Sequence, residues 1–206
     1  MSSVEQKVVS AEETIRSRHS VRKYQPGVTI PEEELNEILT LASSAPSSWN
    51  LQHWRFLVVS EQANKERLLP ITYNQQQTVD ASVVVIVLGD LEANQIAATV
   101  YEKAASEIRE MMIGQVNGAY ASNPGLARDE AIRNASLAAM QLMLAAKAKG
   151  YDTVPMGGYD SNALVKELSI PERYVPVMIV PIGKAAAPGR PTDRLPLEHQ
   201  VIRESF

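Results

Sequence analysis

Five groups of residues, far apart in the chain, carry side chains suited to gripping a ligand. Arg18-His19-Ser20-x-Arg22 sets cationic and hydroxyl donors close together, the make-up of an anion clamp, since arginine forks give strong charge-assisted hydrogen bonds. Pro46-Ser47-Ser48-x-Asn50-x-Gln52 is a dense run of small hydroxyls and amides that offers many hydrogen bonds at little steric cost. Tyr73-Asn74-x-x-Gln77 adds two amides, and Pro155-x-Gly157-Gly158 omits side chains where a backbone can come close to a flat ligand. The stretch Arg190 to Pro196 returns two arginines, Arg190 and Arg194.

Taken singly, each group has a plainer explanation. The early arginines suit a solvated basic face past a helix end, Asn74 and Gln77 suit a helix surface, and Gly157-Gly158 suits a turn. Together they suggest one site. The chain has no cysteine, which excludes thiol nucleophiles, disulfides and thiolate metal sites. His19, His53 and His199 lack metal-ligand spacing, so no metal is expected. No Ser-His-Asp or paired-carboxylate pattern is present.

The elements that must position these groups follow from periodicity and caps. Ser10 and Glu13 form a capping-box pattern for a short helix, and Thr29 and Glu32 form another, with Pro31 in the first turn of a helix buried through Leu35, Ile38, Leu39 and Ala42. A strand is expected over 55–60, a helix over 62–69 ended by Pro70, and a central strand at Val83 to Leu88, aliphatic on both faces. Residues 91–113 read as helix, 117–126 as a loop, and 129–149 as a helix apolar almost all round, fit for the middle of the molecule or a partner subunit. A short extended piece at 151–155, a helix over 161–168 capped by Asp160 or Ser161, and a strand over 175–182 with partly unpaired ends at Pro176 and Pro181 complete the pattern. Trp49 and Trp54 are expected as packing anchors. The result is an α+β three-layer sandwich.

With 206 residues and 45% apolar content the chain can bury a sizeable core, and a formal charge of −4 argues against general nucleic-acid binding. The first seven residues lack the apolar run of a signal peptide, and the aliphatic run at 83–88 is too short to span a bilayer, so a soluble cytoplasmic protein that does not enter membranes is expected.

In their order, the five groups resemble the nitroreductase family of FMN-dependent oxidoreductases over nearly the whole chain. The specific parts are Arg18-His19-Ser20-x-Arg22 and Ala45-Pro46-Ser47-Ser48-x-Asn50-x-Gln52-x-Trp54. The resemblance implies one FMN-binding domain over 1–206, with 184–206 as an extended C-terminal tail. It implies a mostly helical α-β-α sandwich around a mainly antiparallel sheet, and a homodimer with FMN sites at its interface. By position, Arg18, Ser20 and Arg194 would hold the phosphate, His19 would lie beside the ribityl chain or ring edge, and Arg22 would reach the pyrimidine edge near Asn74 and Gln77. Pro46, Ser47, Ser48 and Asn50 would come from the other subunit, and the backbone N–H of Gly158 would approach flavin N5. Gln52, Pro155 and Gly157 complete the cofactor-binding set.

The implied reaction is a ping-pong transfer from NAD(P)H to a nitroaromatic, quinone or similar acceptor. Dehalogenation, flavin fragmentation and non-catalytic flavin binding are the alternatives. Three positions depart from the family pattern: Gln77 stands where a lysine is frequent, Gly157 where an acidic residue is frequent, and Thr192 where a lysine is common.

Overall fold

A computed structural model describes residues 9–206; the expectation for the first seven residues lies outside that range. β2 (Val83–Asp90) is buried along its whole length, and its aliphatic residues explain why. Val83, Val85 and Val87 face one helical layer, whereas Val84, Ile86 and Leu88 face another, so neither side of the strand meets water. β1 (Trp54–Val59) and β4 (Tyr174–Gly183) flank it, and β3 (Asp152–Thr153) closes the order β1-β2-β4-β3, antiparallel throughout. The expected α+β sandwich is present, with a four-stranded sheet between the layers.

The first layer contains α1 (Ala11–Ser17), α2 (Glu32–Ala42) and α7 (Leu126–Ala148), and the second α3 (Gln62–Ile71) and α8 (Ser161–Glu167). Between them in sequence run the short α4 (Gln77–Asp80) and α5 (Ala97–Val100), and the long α6 (Ser106–Ser122). Two expected caps are present: Ser10 Oγ accepts from the Glu13 N–H at 3.1 Å, and Asp160 from the Ala163 N–H at 3.0 Å. The cap expected from Thr29 is absent. Pro31 takes the N-cap position of α2, leaving Thr29 outside the helix, and Glu32, Glu33 and Glu34 meet the positive helix end instead.

Other boundaries also move. The segment expected as one helix over 91–113 splits into a 3-10 turn at Ala93–Ile96, α5 and α6. Residues 117–122, expected as loop, continue α6, since a single glycine such as Gly118 weakens a helix by only about 1 kcal/mol. The break comes at Asn123-Pro124-Gly125, and α7 starts before Asp129. Pro70 sits inside the last turn of α3, where it forfeits one backbone bond without ending the helix. In β4, the register shifts beside Pro176, and β3 covers only its far end, so part of its edge is unpaired as expected.

Trp54 is buried in the core and Trp49 is half-buried. α7 meets the sheet through small residues, Ala131, Ala135, Ala138, Ala139 and Ala146, while exposing Ile132, Leu137 and Met140. After β4 the chain is pinned by the Gln25 N–H to Lys184 O at 2.9 Å and the Ala186 N–H to Lys23 O at 2.8 Å. Beyond Gly189 it lies exposed, including Leu195, Leu197, Ile202 and Phe206. Among the described residues, no helix is long and apolar enough to cross a membrane.

The approach of α7 to β2 leaves no room at Gly89, where a Cβ would stand 2.8 Å from the Ala131 carbonyl oxygen. Gly89→Ala is expected to destabilise the protein by about 1–3 kcal/mol in chemical denaturation, the usual cost of overpacking.

Candidate functional site

The arginine-rich segment extends the sheet beyond β3. Ser20 bridges to Thr153 in parallel, and the Val21 N–H donates to Thr153 O at 3.0 Å. The tail crosses it so closely that a Cβ on Gly189 would stand 2.7 Å from His19 Cβ. Between segment and tail lies a cavity of about 500 Å³ lined by Ser20, Arg22, Lys23, Arg190 and Thr192 among others. Among the described residues, no carboxylate lines it. Among the described residues, Arg18, Arg22, Lys23, Arg190 and Arg194 take part in no ion pair, whereas seven other lysines and arginines do. Uncompensated cations in an acidic protein suit an anion such as a phosphate ester.

Arg194 is expected in this clamp, but its guanidinium folds onto its own turn, donating to Thr192 Oγ1 at 2.9 Å and Asp193 O at 3.0 Å. Arg190 lines the cavity instead.

A set of amides continues the site. Tyr73 and Asn74 both adopt left-handed backbone, φ 53° and 57°, which ends α3 and turns the chain towards the glycine pair. Asn74 is exposed. Gln77 is buried, its amide donating to Gln75 Oε1 at 2.9 Å and lying 3.8 Å from Met156 Sδ. Gln75 joins three of the groups: its oxygen also accepts from Arg22 Nη1 at 3.5 Å, and its nitrogen donates to Gly158 O at 2.9 Å. Gly157 and Gly158 are both exposed, and a Cβ on Gly157 would meet nothing.

The loop from Pro46 to Gln52 is strained, with Trp49, Asn50 and Gln52 at φ 51°, 55° and 47°. Ser47 Oγ accepts from the Gln52 N–H at 3.0 Å, and the Gln52 amide donates to Asn50 O at 2.8 Å. Ser48 faces inward, its N–H donating to Asn134 Oδ1 at 2.9 Å and its hydroxyl to Glu130 Oε2. Pro46, Asn50 and Gln52 are exposed.

Within one protomer, this loop and the arginine segment do not meet. The loop leads into Trp54, opposite Gly89; Ser20 sits beside Thr153, opposite Ile182 and thence Val83. These are opposite corners of the sheet, about 19 Å apart across the strands and about 20 Å along them, or roughly 28 Å on the diagonal.

Residues 15–184 match the Nitroreductase family. The chain belongs to that family. It is 51% identical over 191 residues to YodC of Bacillus subtilis (strain 168), provisionally named an NAD(P)H nitroreductase, covering 90% of this chain and 94% of that one. It is 34% identical over 180 residues to the CLA biosynthesis enone reductase of Lactiplantibacillus plantarum, covering 82% and 83% of the two chains. A protein from Exiguobacterium sibiricum 255-15, provisionally named a nitroreductase and solved in complex with FMN, superposes with a TM-score of 0.91 at 36% identity, over 97% of this chain and 99% of that one. The chain is therefore an enzyme of the oxidoreductase class.

Several site residues of this nitroreductase-family protein escape sequence reasoning. Gln75 lies within the second amide group but lacks a signature of its own, and Glu130 and Asn134 look like polar positions on an apolar helix; only i,i+4 spacing hints that they act together. His53 is fully buried, with Nε2 3.0 Å from Tyr120 Oη and Nδ1 without a partner. Burial lowers its pKa below the ordinary 6.5, only partly opposed by Glu130 and Asp90. Burial, reinforced by the same carboxylates, pushes the Tyr120 phenol up to about 12.

The unfolded chain binds a proton at His53 as pH falls through 6.5, whereas the folded chain resists it, so this stability is present above 6.5 and is lost progressively below. Denaturation midpoints between pH 7 and 5 are expected to fall with pH, with a smaller slope in His53→Gln.

Proposed function

We propose that this protein is an FMN-dependent oxidoreductase, working as a cytoplasmic homodimer that moves reducing equivalents from NAD(P)H to a nitroaromatic, quinone or similar acceptor. The observation that carries this reading is the uncompensated cation cavity at Ser20, Arg22 and Arg190 beside the Gln75–Gly158 strip, which suits a phosphate ester attached to a flat polar ring. FMN, when bound, supplies the ring that accepts and then donates a hydride.

This chain's residues bind and tune. Arg18 and Ser20 hold the phosphate, with Arg190 and, on ligand binding, Arg194. His19 borders the ribityl chain. Arg22 approaches the pyrimidine edge, where a guanidinium stabilises added negative charge and raises the reduction potential. Gln75 orients Arg22 and the glycine strip, Asn74 and Gln77 border them, and Pro155, Gly157 and Gly158 leave the ring face open. Pro46, Ser47, Ser48, Asn50 and Gln52 complete the site from the partner. Support for that sharing comes from the separation of the two half-sites and from the apolar surface left on α7 and the tail. No side chain is required as general acid or base. An enone reductase among the relatives supports a broad acceptor class that includes activated alkenes.

Anaerobic visible spectra are expected to show bound flavin that bleaches on addition of NADH or NADPH; protein that takes up no FMN contradicts the reading. Arg18→Ala is expected to weaken FMN binding about 10- to 100-fold, the worth of a hydrogen bond to a charged group. Arg22→Ala is expected to lower the flavin potential more than the affinity, measured by dye equilibration and fluorescence titration on the same samples.

A further inference from the structure

The Pro46–Gln52 loop holds three non-glycine residues in left-handed backbone, each costing on the order of 1 kcal/mol or more, so something outside the loop must hold it. Leu51 is buried against Ala93, Ala97 and Val116, and Trp49 O accepts from the Tyr101 phenol at 2.9 Å. Those contacts fix the far side. On the near side, both donors of Ser48 go to α7, and both of their acceptors belong to one unit. Asn134 Nδ2 donates to Glu130 O and to Glu130 Oε2, each at 2.7 Å, and Arg133 binds the other carboxylate oxygen.

Glu130 is 5% exposed. Burial alone would raise its pKa, but the hydrogen bonds from Ser48 and Asn134 and the charge of Arg133 hold it below the ordinary 4.5. The carboxylate thus stays ionised at neutral pH, with its lone pairs committed to the loop and its own helix.

We propose that Glu130 is a positioning residue for FMN binding, its carboxylate clamping Ser48 so that the strained loop presents Ser47 and Asn50 to the cofactor. The inference rests on the FMN reading above. It also reassigns Ser48, whose hydroxyl is spent on Glu130 and grips the cofactor only through the loop it fixes.

A double-mutant cycle on FMN affinity tests this, using Glu130→Gln, Ser48→Ala and their combination, with thermal denaturation of each apoprotein as the second readout. In Glu130→Gln one of the two acceptor oxygens becomes an amide donor, so Ser48, Asn134 and Arg133 can no longer all be satisfied. Each single variant is expected to lose affinity roughly tenfold. The double variant is expected to lose no more than the worse single one, because both remove the same contact. Losses that multiply in the double variant would show that Ser48 contacts the cofactor independently and would overturn the proposal. So would Glu130→Gln apoprotein that melts earlier but binds FMN as tightly as the parent, which marks a merely structural role. Should Glu130→Gln not fold, Glu130→Asp, whose shorter side chain withdraws the carboxylate from the Ser48 hydroxyl, carries the same cycle with Ser48→Ala. Parent protein that binds no FMN contradicts the functional reading itself, a result distinct from all of these.

Discussion

The burial of β2 on both faces governs the rest of this molecule. A strand with no solvent-facing side must have a strand on each edge and helices above and below, so the β1-β2-β4-β3 order forces its outer strands apart. The Ala-rich face of α7 lets that helix run close along the sheet, from Glu130 near the Gly89 corner to Ala148, just before β3. The fold therefore has two distant corners that carry the candidate site residues. One carries the arginine segment and the glycine strip, the other the strained serine loop.

That division explains why each corner is built differently. At the β3 corner, backbone pairing does the positioning: Ser20 with Thr153, Gln25 with Lys184 and Lys23 with Ala186 lay an extended segment between sheet and tail, which leaves the cationic side chains free. At the β1 corner no ladder is available, and side chains take over. Ser48 is tied to α7 by Glu130 and Asn134, and Leu51 is sunk among Ala93, Ala97 and Val116. A buried polar network of this kind is specific only when its members are satisfied. Glu130 and Asn134 meet that condition, while His53 Nδ1 beside them does not.

Much of this was legible in the sequence. Alternation and aliphatic runs located β2 and β4, the Ser10 and Asp160 caps started their helices, and four of the five groups named segments that the structure brings together, at Arg22, Gln75, Gly158 and Arg190. What was not legible depends on contacts between distant positions. Gln75 reaches Gly158 and Ser48 reaches Glu130 across more than eighty residues, and no local pattern reports that. Thr29 lost its cap to Pro31, and Gly118 did not stop α6 because a single glycine costs a helix only about 1 kcal/mol. The resemblance assigns the phosphate to Arg194, yet Arg190 lines the cavity, since Arg194 bonds to its own turn.

The central claim is that a complete site needs two copies of the chain, one giving the arginine clamp and the other the serine loop. Mixed dimers test it most directly. Arg18→Ala protein and Asn50→Ala protein, differently tagged, are co-expressed and the heterodimer is purified by both tags. The account predicts that each homodimer binds FMN weakly, whereas the heterodimer regains one site of parental affinity, because both defects fall in the other site. A heterodimer with no restored site would place clamp and loop in the same protomer's site and contradict it.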